Sequence, residues 1–157
     1  MTVDDLSWPP GFLWGVGTSA HQNDGNNVAS DYWAVEHLDG SEFVEPSGDA
    51  LNSYHLWPQD VALAAELGFT AYRFGVEWAR IEPARGCFSL AERERYRQMV
   101  QACRRHGLEP VVTLHHMTHP AWFARAGGWT SPDAVDRFAA YVEFVAPALA
   151  DARWITT

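Results

Sequence analysis

"TAYRFGVEWARI", residues 70–81, is an apolar, β-prone run interrupted by one arginine. It reads as a buried strand and predicts β structure over those residues. Upstream lies "PQDVALAAELGF" (58–69), with Pro58 where a helix should begin and Gly68 just past its end. Downstream, "SLAERERYRQMVQACRRHG" (89–107) is the clearest helix in the chain. Ser89 and Glu92 form a capping box, Tyr96, Met99, Val100 and Cys103 recur on one face, and Gly107 ends it. "LEPVVTLHH" (108–116) reads as an apolar run of strand length.

Outward from this centre the alternation continues. "FLWGVGTS" (12–19) predicts a short buried strand, followed by the turn formers of "HQNDGNN" (21–27). Residues 30–54 lack a clear period and predict a long loop with at most one short helix. "SPDAVDRFAAYVEFVAPALA" (131–150) predicts a helix capped by Ser131 with Pro132 at its first position. Its apolar face would carry Val135, Phe138, Ala139, Val142 and Leu149. "RWITT" (153–157) then predicts another strand. Strands alternating with helices at this spacing imply βαβ units, a parallel sheet and one α/β domain. Two architectures remain open, a doubly wound sheet and a (β/α)₈ barrel. "GVGTSA" (15–20) lacks the third glycine of a dinucleotide fingerprint, and no phosphate-loop lysine is present, so no cofactor is assigned.

Composition narrows the function. The chain has 157 residues, 47% hydrophobic and 20% charged, as in ordinary globular proteins. A net charge of −9 disfavours nucleic acid and anionic membrane surfaces as partners. The acidic start "MTVDDLSWPPGF" (1–12) has no basic segment followed by a long apolar one, so a cytoplasmic location is expected. Cys87 and Cys103 form no CxxC pair; Cys103 is expected to be a buried free thiol. Eight tryptophans suit either core packing or stacking platforms for a sugar.

Parallel α/β sheets place function at the carboxyl ends of their strands. There the sequence supplies His21, Gln22, Asn23 and Asp24, then Arg73, Glu77, Trp78 and Arg80, then His115, His116 and His119. Amide and imidazole groups both donate and accept hydrogen bonds, which suits neutral polyhydroxy ligands. Arg73 is costly to bury unless a carboxylate pairs with it, and Glu77, Glu82 or a carboxylate elsewhere is the expected partner. Such a pair either holds the fold or keeps a catalytic carboxylate ionised. "HHMTH" (115–119) contains neither H-E-x-x-H nor H-x-H, and Pro120 opposes a helix there, so no metal ligand is assigned. Adjacent His115 and His116 should point to opposite faces.

Taken together, four ordered blocks resemble glycoside hydrolase family 1, the β-glucosidase-like retaining enzymes. They are "FLWGVGTSAHQNDG" (12–25), "YRFGVEWARIEP" (72–83), "VVTLHHMTHP" (111–120), and "GGW" (127–129) with "FAAYVEF" (138–144). The resemblance implies a (β/α)₈ TIM barrel, of which residues 1–157 would form the first three βα units and the start of the fourth strand. It implies that Gln22 and His116 hydrogen-bond the sugar hydroxyls of a β-glycoside or oligosaccharide substrate, and that Arg73 supports the nucleophile. "RWITT" then resembles the fourth strand, which in the family continues into Asn-Glu-Pro with the general acid/base. The chain is expected to be truncated before that residue, to contain no catalytic residue and to be inactive alone. A non-catalytic sugar-binding or interaction half-barrel, and a His-dependent metal hydrolase, are the alternatives. Four positions depart from the family pattern: Asp24 replaces a glutamate one methylene longer, Gly75 a serine, Met117 a tryptophan, and His119 an apolar residue. They bear on sugar preference rather than fold.

Overall fold

The computed structural model describes residues 7–157. Its centre is a parallel sheet of four strands: β1 (Gly15–Gly17), β2 (Ala71–Gly75), β3 (Glu109–Thr113) and β4 (Trp154–Thr156). The strands lie side by side in chain order. A doubly wound sheet reverses its order at a switch point, whereas a barrel does not. Between β1 and β2 come α1 (Ala20–Asn23), α2 (Asp31–Glu36) and α3 (Ser53–Glu66). Between β2 and β3 come α4 (Trp78–Ile81) and α5 (Leu90–Arg105). α6 (Ala121–Arg125), α7 (Ala134–Val145) and two 3₁₀ turns, Gly128–Thr130 and Ala146–Leu149, precede β4.

Side-chain alternation sorts the two faces of the sheet. Tyr72, Phe74 and Val112 meet Val61 of α3, Met99, Val100 and Cys103 of α5, and Tyr141 and Val145 of α7 in one buried core. The other face carries Gly15, Gly17, Ala71, Arg73, Gly75, Val111, Thr113 and Thr156. Helices thus cover one face only, as in the wall of a barrel. Trp78 is the hub of the aromatic core, with its ring centroid 4.7 Å from Phe123 and 5.2 Å from a stacked Tyr141. Trp8, Trp14, Trp129 and Trp154 are exposed, so the tryptophans divide between packing and surface. Cys103 is buried and free as expected, and burial pushes its thiol up to about 12. Cys87 is free and exposed.

Several local expectations need correction. The first strand is only Gly15–Gly17, and Phe12, Leu13 and Trp14, expected within a buried strand, lie before it at 42%, 38% and 47% exposure. Among the described residues it pairs only with β2, so one side is open. The second strand ends at Gly75. Glu77 then caps α4, its Oε1 accepting from Ala79 N at 3.0 Å, because a side-chain acceptor competes with the sheet ladder. Helix α3 begins at Ser53, five residues before Pro58. Proline cannot donate to the carbonyl four residues back. That carbonyl, of Tyr54, instead accepts from Arg95 Nε and Nη2 at 3.3 and 3.2 Å, so the proline costs no unpaired acceptor. Helix α5 matches its expected span and buries the expected face. Its capping box is half made: Ser89 Oγ accepts from Glu92 N at 3.2 Å, but the Glu92 carboxylate accepts from the Tyr54 hydroxyl. Helix α7 begins at Ala134 with Asp133 as N-cap, after Ser131 and Pro132. Its buried stripe is Ala134, Tyr141 and Val145, while Val135 is 75% exposed. Phe138, Val142 and Leu149 join the core as expected.

Tyr141 fixes the carboxyl ends of the two central strands. Its buried hydroxyl lies 3.0 Å from Val76 O and 2.9 Å from Leu114 O. Tyr141→Phe leaves two carbonyls without this donor and is expected to cost roughly 1–3 kcal/mol. Equilibrium unfolding in urea of a complete barrel carrying this segment checks this; an unchanged midpoint would show that the hydroxyl contributes nothing.

Candidate active site

The carboxyl end of β1 turns through Thr18 and Ser19 into α1. Thr18 N donates to Arg73 O at 2.9 Å, tying this turn to β2. Gln22 is exposed, and its Oε1 accepts from Ser19 Oγ at 2.8 Å, which leaves the amide N–H groups facing solvent. Gly25 follows at φ +78°, and a Cβ there would stand 2.1 Å from Asp49 O, so only glycine fits. His21 points inward: it is buried, with Nε2 3.4 Å from Glu36 Oε2 and its ring against Tyr32. Glu36 in turn accepts from Ser47 N and Oγ at 3.1 and 2.7 Å, so His21 belongs to loop packing.

Arg73 projects from the uncovered face of β2. Its Nε donates to Thr113 Oγ1 at 2.8 Å, and Thr113 Oγ1 is 2.9 Å from Thr156 Oγ1. One polar row therefore crosses β2, β3 and β4. Arg73 Nη2 lies 3.4 Å from His116 Nδ1. A guanidinium only donates, so this contact requires an unprotonated Nδ1 and places the neutral ring's proton on Nε2. The expected carboxylate partner is absent among the described residues. Glu77 is engaged with Thr118 and Ala79, and Glu82 with Trp78 Nε1 and Gly86 N. Arg73 escapes the full cost of an unpaired buried charge because it is half-buried.

His116 sits at the start of a tight three-residue turn. Thr118 N donates to His116 O at 2.8 Å, with Met117 at φ +65°. A left-handed φ is strained for a side chain like methionine. The turn is held from below: buried Thr118 donates Oγ1 to Glu77 Oε2 at 2.7 Å. Burial pushes the Glu77 carboxyl up, against the lowering bonds from Thr118 and Ala79. Met117 is left 40% exposed beside His116.

β3 ends at Thr113, so His115 and His116 lie in the loop beyond it rather than on a strand; His116 meets Arg73, and His115 packs edge-on against Trp129 at 5.2 Å. Burial, then His119, pushes its pKa down. His119 joins this loop to α2: its N–H donates to Asp31 Oδ1 at 3.0 Å, Asp31 N donates to its carbonyl at 2.9 Å, and its Nε2 is 3.5 Å from Asp31 Oδ2. Among the described residues no group of three or more His, Cys, Asp or Glu side chains could hold a metal ion. No helix there is long and apolar enough to cross a membrane.

The structure thus brings Arg73 and His116 together at the carboxyl ends of β2 and β3, with Gln22 on the neighbouring β1 segment. Thr113, Thr118 and Glu77 organise this edge, and sequence reading did not single out the two threonines. The available signal was a hydroxyl closing an otherwise apolar strand, "VVT" (111–113).

The chain matches the model of glycosyl hydrolase family 1 over residues 5–157. It is 38% identical to thermostable beta-glucosidase B of Thermobispora bispora, over 97% of this chain and 34% of that protein. It is 34% identical to coniferin beta-glucosidase of Pinus contorta, over 95% of this chain and 31% of that protein. Among solved structures, beta-glycosidase BGL167 aligns at TM-score 0.90 and 51% identity, over 94% of this chain and 36% of that one. A beta-glycosidase from Pyrococcus horikoshii aligns at TM-score 0.90 and 35% identity, over 96% of this chain and 35% of that one. The chain spans about a third of the length of these relatives. Its one-sided parallel sheet is a portion of their (β/α)₈ barrel, and the chain belongs to glycosyl hydrolase family 1.

Proposed function

We propose that residues 1–157 form the amino-terminal part of a single retaining β-glycosidase barrel domain, acting on β-glucoside-like substrates. The observation that carries this reading is the Arg73–His116 contact on the sheet face that no helix covers, with Gln22 in the segment that follows the neighbouring β1. In this reading the Gln22 amide and His116 Nε2–H donate to hydroxyls of the sugar ring. Arg73 sits on the same edge without a carboxylate partner among the described residues. A guanidinium there would lower the pKa of a nucleophilic carboxylate brought against it and keep it ionised. Retention needs two carboxylates roughly 5–5.5 Å apart. Asp24, Glu77 and Glu82 face arginines or buried donors, so none is free for that task. The catalytic pair would come from other parts of the barrel, and this chain alone would be inactive.

The test is an assay with 4-nitrophenyl β- and α-glucosides on a complete barrel carrying this segment. Hydrolysis of the β anomer alone is expected; turnover of only the α anomer would sink the reading.

A further inference from the structure

Asp24 closes α1, two residues after Gln22, and lies between two arginines. Its Oδ2 is 3.8 Å from Arg80 Nε and 4.0 Å from Arg95 Nη2, with all three side chains at most 14% exposed. Both separations are too long for direct hydrogen bonds. Arg80 Nε and Arg95 Nη1 are buried and donate to no protein acceptor. The guanidinium groups are held in place independently: each flanks the Tyr54 ring, at 4.2 and 4.3 Å, Arg80 donates to Gly25 O, and Arg95 to Tyr54 O. They therefore cannot close on Asp24 without giving up those contacts. Beside the carboxylate lies a cavity of about 10 Å³, lined by Thr18, Asp24, Ser53, Tyr72 and Arg95 among others. That volume is on the order of one water molecule, and a buried water needs two to four polar partners. Burial pushes the Asp24 carboxyl up despite the two arginines, as expected of ion pairs not made directly.

We infer that this cavity binds one structural water, which accepts from Arg95 and donates to Asp24, with the hydroxyls of Thr18 and Ser53 completing its shell. The water turns the overlong Asp24–Arg95 pair into a bridged one. It joins the segment that carries Gln22 to α5. Asp24 is one methylene shorter than the glutamate of the family pattern, and it lines the cavity.

Limited proteolysis of a complete barrel carrying this segment tests this, with half-lives compared for wild type, Asp24→Glu and Asp24→Asn. A glutamate adds about 1.5 Å of reach, expels the water and pairs directly, so D24E is expected to survive roughly fivefold longer. Such a change corresponds to about 1 kcal/mol of opening free energy. D24N keeps an acceptor for the water but loses the charge facing both arginines, and is expected to be cut several-fold faster. A dry cavity would leave the carboxylate unsolvated and make the neutral amide equal or better. D24N as resistant as wild type, or D24E cut faster than wild type, overturns the proposal. A crystal structure with a direct Asp24–Arg95 pair, or with no ordered water at that point, overturns it as well.

Discussion

Alanine at Gln22 or His116, in a complete barrel carrying this segment, should lower kcat/KM for an aryl β-glucoside by roughly 10- to 100-fold each. The estimate follows from removing one buried donor to substrate, about 1–3 kcal/mol, at about 1.4 kcal/mol per tenfold. A donor whose bond to a sugar hydroxyl strengthens in the transition state acts mainly on kcat. Stability should change little. Gln22 is exposed and bonded only to Ser19, and His116 has a single 3.4 Å contact with Arg73. Surface changes of this kind usually fall within about 0.5 kcal/mol. Steady-state kinetics and thermal melting of the same variants separate the two effects. Lower melting temperatures with normal turnover would make both residues structural and end their assignment to the sugar site.

The second large effect concerns the 157-residue chain by itself. It is expected to hydrolyse no aryl β-glycoside above the buffer rate and to elute from size exclusion as an associated species. The chemical half follows from the carboxylates near the site: Glu77 is spent on Thr118 and Ala79, Glu82 on Trp78 and Gly86, and Asp24 faces Arg80 and Arg95. The physical half follows from the sheet. Among the described residues β1 and β4 are each paired on one side only. Open strand edges are templates for pairing with another chain. Apolar side chains flank them: Trp14 is 47%, Trp154 54% and Ile155 48% exposed. Large apolar side chains exposed beside open edges add to that tendency to associate. A monodisperse monomer with one cooperative melting transition would contradict the physical half, and would favour a self-sufficient sugar-binding half-barrel.

The parallel α/β order was legible because each strand is a short apolar run and each main helix has its own punctuation. Gly68 and Gly107 end α3 and α5 at φ +84° and +73°, where left-handed backbone demands glycine. Boundaries were less legible wherever a tertiary partner replaced a local rule. Pro58 reads as a helix start, yet Arg95, far along the chain, takes up the carbonyl that the proline abandons. Glu92 reads as the second half of a capping box, yet the Tyr54 hydroxyl claims its carboxylate. The choice between barrel and open sheet could not be made from the pattern alone, since both use the same βαβ unit; the resemblance made it, and the strand order agrees. At the site, Gln22, Arg73 and His116 stood out as polar residues at strand ends. The bond from Arg73 to Thr113 did not, because it depends on the register that sets Gly75 beside Thr113. Nor did the turn at Met117, whose strain is held by a Glu77–Thr118 contact 41 residues apart.

The stereochemistry of the first product decides whether this polar edge belongs to a retaining β-glycosidase. A complete barrel carrying these residues would be mixed with an aryl β-glucoside in deuterated buffer, and the anomeric proton of the released sugar followed by NMR before mutarotation. The β anomer is expected first, with the α anomer growing in only as the free sugar equilibrates. An α anomer formed first would mean inversion at the anomeric carbon and would contradict retention.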